Sequence, residues 1–163
     1  MTAQTNGDTM YYESFHKFFP EVATKETEII IISENSSSSI PPGEYLLVES
    51  YCATPKCDCR RTFLNVFTKD GYQLLAVISY GWESRKFYVK WFGADDRETI
   101  DDLKGPALPV GQPQSELAPE LLKLVTVLVL SDPVYILRLK KHYQMFKSFI
   151  AKPVSQRHRS LQL

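Results

Sequence analysis

Alternating apolar and polar residues predict that the first half of this chain forms a sheet. The run Thr27–Ser33 is rich in β-branched residues, and similar apolar runs follow it at short intervals. Asp70-Gly71 separates two of these runs, a pattern typical of an antiparallel hairpin. The predicted strands of the meander are 27–33, 44–51, 61–68, 72–80 and 87–92.

Helical spacing replaces this alternation at both ends of the predicted sheet. Aromatic residues in 10–19 indicate a short N-terminal helix, and Ser115 is placed to cap a leucine- and valine-rich helix. Asp132-Pro133 is typical of a helix start, and an apolar stripe spaced by three and four residues follows it up to Ile150. We therefore expect an α+β fold with two C-terminal helices packed on one face of an antiparallel β-meander.

The domain organisation that this pattern predicts is simple. Residues 1–9 are polar and are expected to be disordered, residues 10–150 form a single α+β domain, and residues 151–163 form a basic, loosely ordered tail. At 163 residues, 44% hydrophobic and 23% charged, the chain has the composition of one globular domain.

The net charge of zero hides an uneven distribution of acidic and basic residues. Residues 1–50 carry eight acidic residues and two lysines, whereas residues 133–163 carry seven basic residues and no acidic one. The simpler interpretation is that the two ends fold against each other or face solvent. The alternative is an unknown protein or anionic partner at the C-terminal segment. Nucleic acid is less favoured, because a strong basic stripe is lacking.

The cellular location follows from two absences in the sequence. The N-terminus has no basic segment followed by an apolar run, so we expect no signal peptide. The longest apolar stretch, residues 124–130, is far shorter than the roughly 20 residues of a membrane span. We therefore expect a cytoplasmic protein that does not contact a membrane.

All three cysteines of the chain lie within eight residues, at Cys52, Cys57 and Cys59. Such clustering indicates a common cause, because cysteine otherwise tends to be buried singly in a core. A zinc site is the hypothesis that we favour, since thiolates are preferred zinc ligands. Thiols without metal, and a redox sensor or thiol enzyme that uses Cys57 or Cys59, are the alternatives.

Zinc needs a fourth ligand, and His142 is the candidate that the sequence offers. It lies three residues after Leu139 and four before Phe146, at the edge of the apolar stripe, so its ring could face the sheet. The alternative is a histidine at the edge of the core, bonded to a backbone carbonyl or to solvent. The other two histidines, His16 and His158, are less well placed.

The segment from Tyr51 to Arg61, together with His142-Tyr143 on a late helix, resembles uncharacterised bacterial proteins with no assigned activity. This resemblance implies a bacterial origin. The sequence has no phosphate-binding glycine loop, no Gly-x-Ser-x-Gly, no His-Glu-x-x-His and no Cys-x-x-Cys. We therefore expect a zinc-stabilised interaction module rather than an enzyme.

Overall fold

The structure, a computed structural model, describes residues 11–160, with side chains up to residue 157. The predicted disordered segment 1–9 lies outside the described residues. Five strands and seven helices form in the described part: β1 (Tyr12–Ser14), α1 (Phe15–Phe18), α2 (Pro20–Glu26), β2 (Glu28–Ile32), β3 (Gly43–Cys52), β4 (Arg61–Thr68), β5 (Leu74–Gly81), α3 (Arg85–Phe92), α4 (Arg97–Lys104), α5 (Ala118–Leu128), α6 (Pro133–Ile150) and α7 (Val154–Ser160).

The five strands form one antiparallel sheet, which confirms the predicted α+β class. Strand β3 pairs with β4 along one edge, and β4 pairs with β5 with Arg61 opposite Gly81. The predicted hairpin around Asp70-Gly71 is therefore confirmed. The other edge of β3 is shared, since β2 pairs with its first half and β1 pairs with its last three residues.

Two apolar clusters lie on the face of the sheet that α5 and α6 cover. The larger one joins Leu47, Leu64 and Ile78 of the sheet to Leu121 of α5 and Leu139 of α6. The smaller one lies at the end of the sheet nearest the cysteines, and its members are Phe15, Ala23, Tyr51, Tyr143, Phe146, Phe149 and Ile150. The apolar stripe of α6 contributes to both clusters and thus spans the length of the sheet.

The prediction of a strand at 87–92 is wrong, because these residues form helix α3. The side chain of Ser84 caps this helix by accepting a hydrogen bond from the Phe87 amide at 3.2 Å. Gly93 ends it in the left-handed conformation, with φ of 89°. The aromatic residues fit a helical repeat as well as an alternating one, and the local caps decide between the two.

The predicted helix at 10–19 is also corrected within the described residues. Tyr12–Ser14 form β1, where Tyr12 lies opposite Cys52, and the short helix α1 follows. Pro20 begins α2, as its fixed φ and missing N–H allow. The chain thus passes the cysteine end of β3 before it turns back along the sheet.

The two outer edges of the sheet differ in whether other parts of the chain hydrogen-bond to them. The edge of β5 is covered, because Ser79 and Ala107 exchange backbone hydrogen bonds and the side-chain amide of Gln114 bonds both the N–H and the C=O of Val77. In residues 11–160, β2 pairs only with β3, and no backbone hydrogen bond from outside the sheet reaches it. The β2 edge is therefore bare along Glu28–Ile32 in this part of the chain.

The segment predicted as a loosely ordered tail contains α7, over Val154–Ser160. Within residues 11–160, no helix combines the length and the apolar character needed to cross a membrane.

Candidate metal centre

The structure brings the three cysteines together at one end of the sheet. Cys52 is the last residue of β3, and Cys57 and Cys59 lie in the loop that leads to β4. The sulfur atoms all lie within 4.8 Å of one another, and all three residues are free thiols. Cys52 and Cys59 are fully buried, whereas Cys57 is half-buried. The predicted cysteine cluster is therefore able to hold a metal ion.

The dimensions of this sulfur group suit a single ion. Two sulfur ligands of one tetrahedral zinc ion lie roughly 3.8 Å apart, since zinc–sulfur distances are about 2.3 Å. Sulfur atoms that all lie within 4.8 Å of one another are close to that spacing. The backbone supports the compact loop, since the Cys57 amide donates to the Thr54 carbonyl at 3.1 Å.

Hydrogen bonds within the sulfur group shift the pKa values of the three thiols in different directions. Cys57 and Cys59 hydrogen-bond to the sulfur of Cys52, and these bonds lower the pKa of the Cys52 thiol. The same bonds to Cys52 raise the pKa of Cys57 and, with burial, that of Cys59. A metal ion that binds here would displace thiol protons, because thiolates are the ligands.

Helix α6 holds the cysteine loop through two residues one turn apart. The Tyr143 hydroxyl donates to Asp58 Oδ1 at 2.9 Å and accepts from the Arg60 amide at 3.2 Å. The Lys147 ammonium donates to the carbonyls of Cys52 at 2.8 Å and Thr54 at 3.0 Å. No motif in the sequence marks Tyr143 or Lys147 as a support of the cysteine loop, although their spacing of four places them on one face of the helix.

Arg60 fixes the other side of the loop. Its φ of 49° is in the left-handed region, which turns the chain into β4 directly after Cys59. Its guanidinium bonds Asp58 at 2.9 Å, approaches Glu83 at 3.3 Å and lies 4.8 Å from the centre of the Phe87 ring. The Tyr88 hydroxyl of α3 donates to the Arg60 carbonyl at 2.8 Å. The loop is thus held between α3 and α6.

The structure does not bring His142 into the sulfur group. Its Nδ1 lies 2.7 Å from Glu49 Oε2 and its Nε2 lies 2.5 Å from Glu26 Oε2, so both ring nitrogens are engaged by carboxylates. The ring is 1% exposed and stacks on Phe15 with centroids 4.3 Å apart. The next residue on the helix, Tyr143, is the one that reaches the cysteine loop.

The two carboxylates control the charge of His142. Burial alone would lower its pKa, but the hydrogen bonds and charges of Glu49 and Glu26 outweigh this effect and raise the pKa above its ordinary 6.5. The hydrogen bond from His142 lowers the pKa of Glu26 in turn. The Tyr51 hydroxyl donates to the same Glu49 oxygen at 2.6 Å. This Glu26–His142–Glu49 group forms an ionic clamp between α2, β3 and α6, in which His142 and Glu49 are buried and Glu26 is partly exposed.

The basic residues of α6 pair with the acidic N-terminal part of the chain. Arg138 bonds Glu28 at 3.0 Å, and Lys141 lies 3.6 Å from Glu26. The simpler interpretation of the uneven charge, that the two ends fold against each other, therefore has direct contacts in its support.

In comparisons with known proteins, no family model, no curated protein and no solved structure matches this chain.

Proposed function

We propose that Cys52, Cys57 and Cys59 bind one zinc ion, and that the protein is a zinc-stabilised interaction module rather than an enzyme. The observation that carries the proposal is the convergence of three sulfur atoms within 4.8 Å, two of them fully buried. Thiolate donors favour zinc and other soft ions over magnesium or calcium. Zinc has no redox chemistry of its own and suits a structural role.

The position of the site supports a stabilising role. The cysteine loop joins β3 to β4, and Tyr143 and Lys147 attach this loop to α6. An ion that fixes the loop therefore also fixes the end of α6 against the sheet. Because the unfolded chain has no preformed sulfur group, the free energy of zinc binding contributes to folding.

The bare edge of β2 is the interaction surface that we propose, and a second copy of this chain is the partner. Natural sheets cover or charge their edges, as β5 does here, whereas β2 is Glu-Ile-Ile-Ile-Ile. Ile29 and Ile31 are exposed on the same face. In an antiparallel pair centred on Ile30, Ile29 of each copy lies beside Ile31 of the other. Glu28 adds little repulsion, because Arg138 neutralises it at 3.0 Å.

The alternative function is a thiol-based redox sensor or enzyme that uses Cys57 or Cys59. It is supported by the free state of all three thiols and by the partial exposure of Cys57. In such a protein an accessible thiolate reacts with an oxidant, and a neighbouring thiol then closes a disulfide.

Protection of the cysteine thiols from alkylation distinguishes the zinc site from the redox function. The protein, purified without chelator, is treated with an alkylating reagent before and after incubation with a zinc chelator. A zinc site leaves all three cysteines unmodified until the chelator is added. Rapid alkylation of Cys57 without chelator, together with a disulfide after mild peroxide treatment, would contradict the zinc proposal and favour the redox function.

A further inference from the structure

We infer that helix α6 forms a second contact between two copies of the chain, in which Val134 and Leu137 of one copy pack against the same residues of the other. This inference rests on the β2 interface proposed above and adds a helical layer beneath the paired strands. It follows from the size of β2, the position of α6 and the exposure of these two apolar side chains.

Strand β2 alone is too small to hold two copies of the chain together. A stable protein–protein interface takes about 20–30 residues from each side, whereas β2 offers five. Each hydrogen bond between the strands replaces one to water, so strand pairing alone adds only modest stability. A dimer formed through β2 therefore needs further apolar surface beside this edge.

Helix α6 runs along β2 in the opposite direction. Arg138 donates to Glu28 at 3.0 Å, and His142, one helical turn later, lies 2.5 Å from Glu26. The same turn of the helix contacts β3, since the His142 ring also lies 2.7 Å from Glu49. The helix therefore lies below the boundary between β2 and β3, close to the β2 edge.

This alignment places Val134 level with Ile30, the centre of the proposed strand pair. Four residues of a helix and two residues of a strand both cover about 6–7 Å, so α6 and β2 advance together. Val134 lies one turn before Arg138, just as Ile30 lies two residues after Glu28. Because residues four apart share a helix face, Val134 lies on the side of α6 from which Arg138 reaches the outer strand.

Val134 and Leu137 are apolar residues that a single chain leaves in contact with solvent. Each is 64% exposed, and their spacing of three makes them neighbours on the surface of α6. Ile29 and Ile31 are exposed on the opposite face of the sheet. Apolar side chains therefore flank the β2 edge on both faces of the sheet.

A two-fold axis through the centre of the strand pair brings the two α6 helices side by side. Neighbouring strands lie about 4.8 Å apart. With each α6 about half a strand spacing inside its own β2, the two helix axes are roughly 10 Å apart, and packed helices are about 8–10 Å apart. Val134 then meets its counterpart across the axis, with Leu137 of each copy beside this pair. The contact is self-complementary, as a two-fold dimer requires.

Photo-crosslinking locates the helical contact directly. A benzophenone amino acid replaces Leu137 in the full chain, and irradiation links it to the residues within its reach. We expect cross-linked dimers in which position 137 is joined to residues 130–141 of the other copy. Cross-links that reach only the outer face of the sheet in the other copy would contradict the contact. The lack of any cross-linked dimer, at a concentration where sedimentation shows the dimer, would contradict it as well.

Sedimentation of two matched variants tests whether this contact stabilises the dimer. Val134→Lys places a charge in the helical contact, and Val110→Lys makes the same change at a residue that is 93% exposed in the segment covering the β5 edge. We expect Val134→Lys to weaken dimerisation about tenfold and Val110→Lys to leave it unchanged. Equal dimer affinity in both variants, with Ile31→Lys monomeric, would overturn the helical contact and leave the β2 interface intact. A parent protein that is monomeric at all concentrations would overturn the β2 interface, and this inference with it.

Discussion

The imidazole of His142 lies 2.7 Å from the carboxylate of Glu49, although the two residues are 93 positions apart in the chain. Glu26 approaches the same ring from α2 at 2.5 Å. His142 therefore belongs to an ionic clamp that joins α2, β3 and α6, and it is separate from the sulfur group.

The clamp predicts how stability depends on pH. The folded pKa of His142 is raised above the unfolded value of 6.5, so its stabilisation is complete below about pH 6.5 and is lost as the pH rises through the folded pKa. Urea unfolding from about pH 6 to about pH 9 should show this loss, and His142→Gln should abolish it.

His16 serves as the control for this pH dependence. Burial lowers its pKa, so its contribution has the opposite sign, and His16→Asn should preserve the loss of stability at higher pH. A parent protein whose stability is flat or rises over this range would contradict the ionic clamp.

Tyr143→Phe should weaken the attachment of the cysteine loop to α6. The substitution removes the hydroxyl that bonds Asp58 and the Arg60 amide but keeps the ring in the smaller apolar cluster. We expect a loss of about 1–3 kcal/mol in the free energy of unfolding, together with weaker zinc binding. Tyr45→Phe, which removes a hydroxyl far from this loop, is the control for zinc binding. Equal zinc affinity in both variants would show that Tyr143 does not support the site.

Removal of zinc should increase hydrogen exchange at the end of α6 as well as in the cysteine loop. The coupling runs through Lys147, which bonds the carbonyls of Cys52 and Thr54. Exchange measured with and without chelator should therefore rise in residues 52–60 and 143–150 and stay constant in the β4–β5 hairpin. An increase confined to the loop would contradict the role of α6.

Local patterns in the sequence were sufficient to predict most of the elements. The hairpin followed from Asp70-Gly71, and α6 followed from the Asp132 cap, Pro133 and an apolar stripe. The alternation at 87–92 failed because the same residues also fit a helical repeat, and the side chain of Ser84 and the conformation of Gly93 select the helix.

The sulfur group could be predicted because its three members are close in the sequence. The partners of His142 could not, because Glu49 and Glu26 are 93 and 116 residues away and no local pattern records such contacts. Helical periodicity correctly predicted that His142 faces the sheet. It could not predict that His142 contacts Glu49 and Glu26 while the next residue on α6, Tyr143, contacts the cysteine loop.

The bare β2 edge predicts self-association. Light scattering should show a dimer of the parent protein, and Ile31→Lys should convert it to a monomer, because a charged residue on an edge strand opposes strand pairing. Val110→Lys changes a residue that is 93% exposed elsewhere and should leave the dimer intact. A parent protein that is monomeric at all concentrations would contradict this surface assignment.

The amount of zinc per chain, measured by elemental analysis of protein purified without chelator, tests the central claim most directly. We expect one zinc ion per chain in the parent, in Lys56→Ser from the same loop and in His142→Gln, whose ring is engaged by carboxylates. Cys57→Ser should lose most of the metal. A parent without stoichiometric zinc, or a Cys57→Ser variant that retains it, would contradict the account.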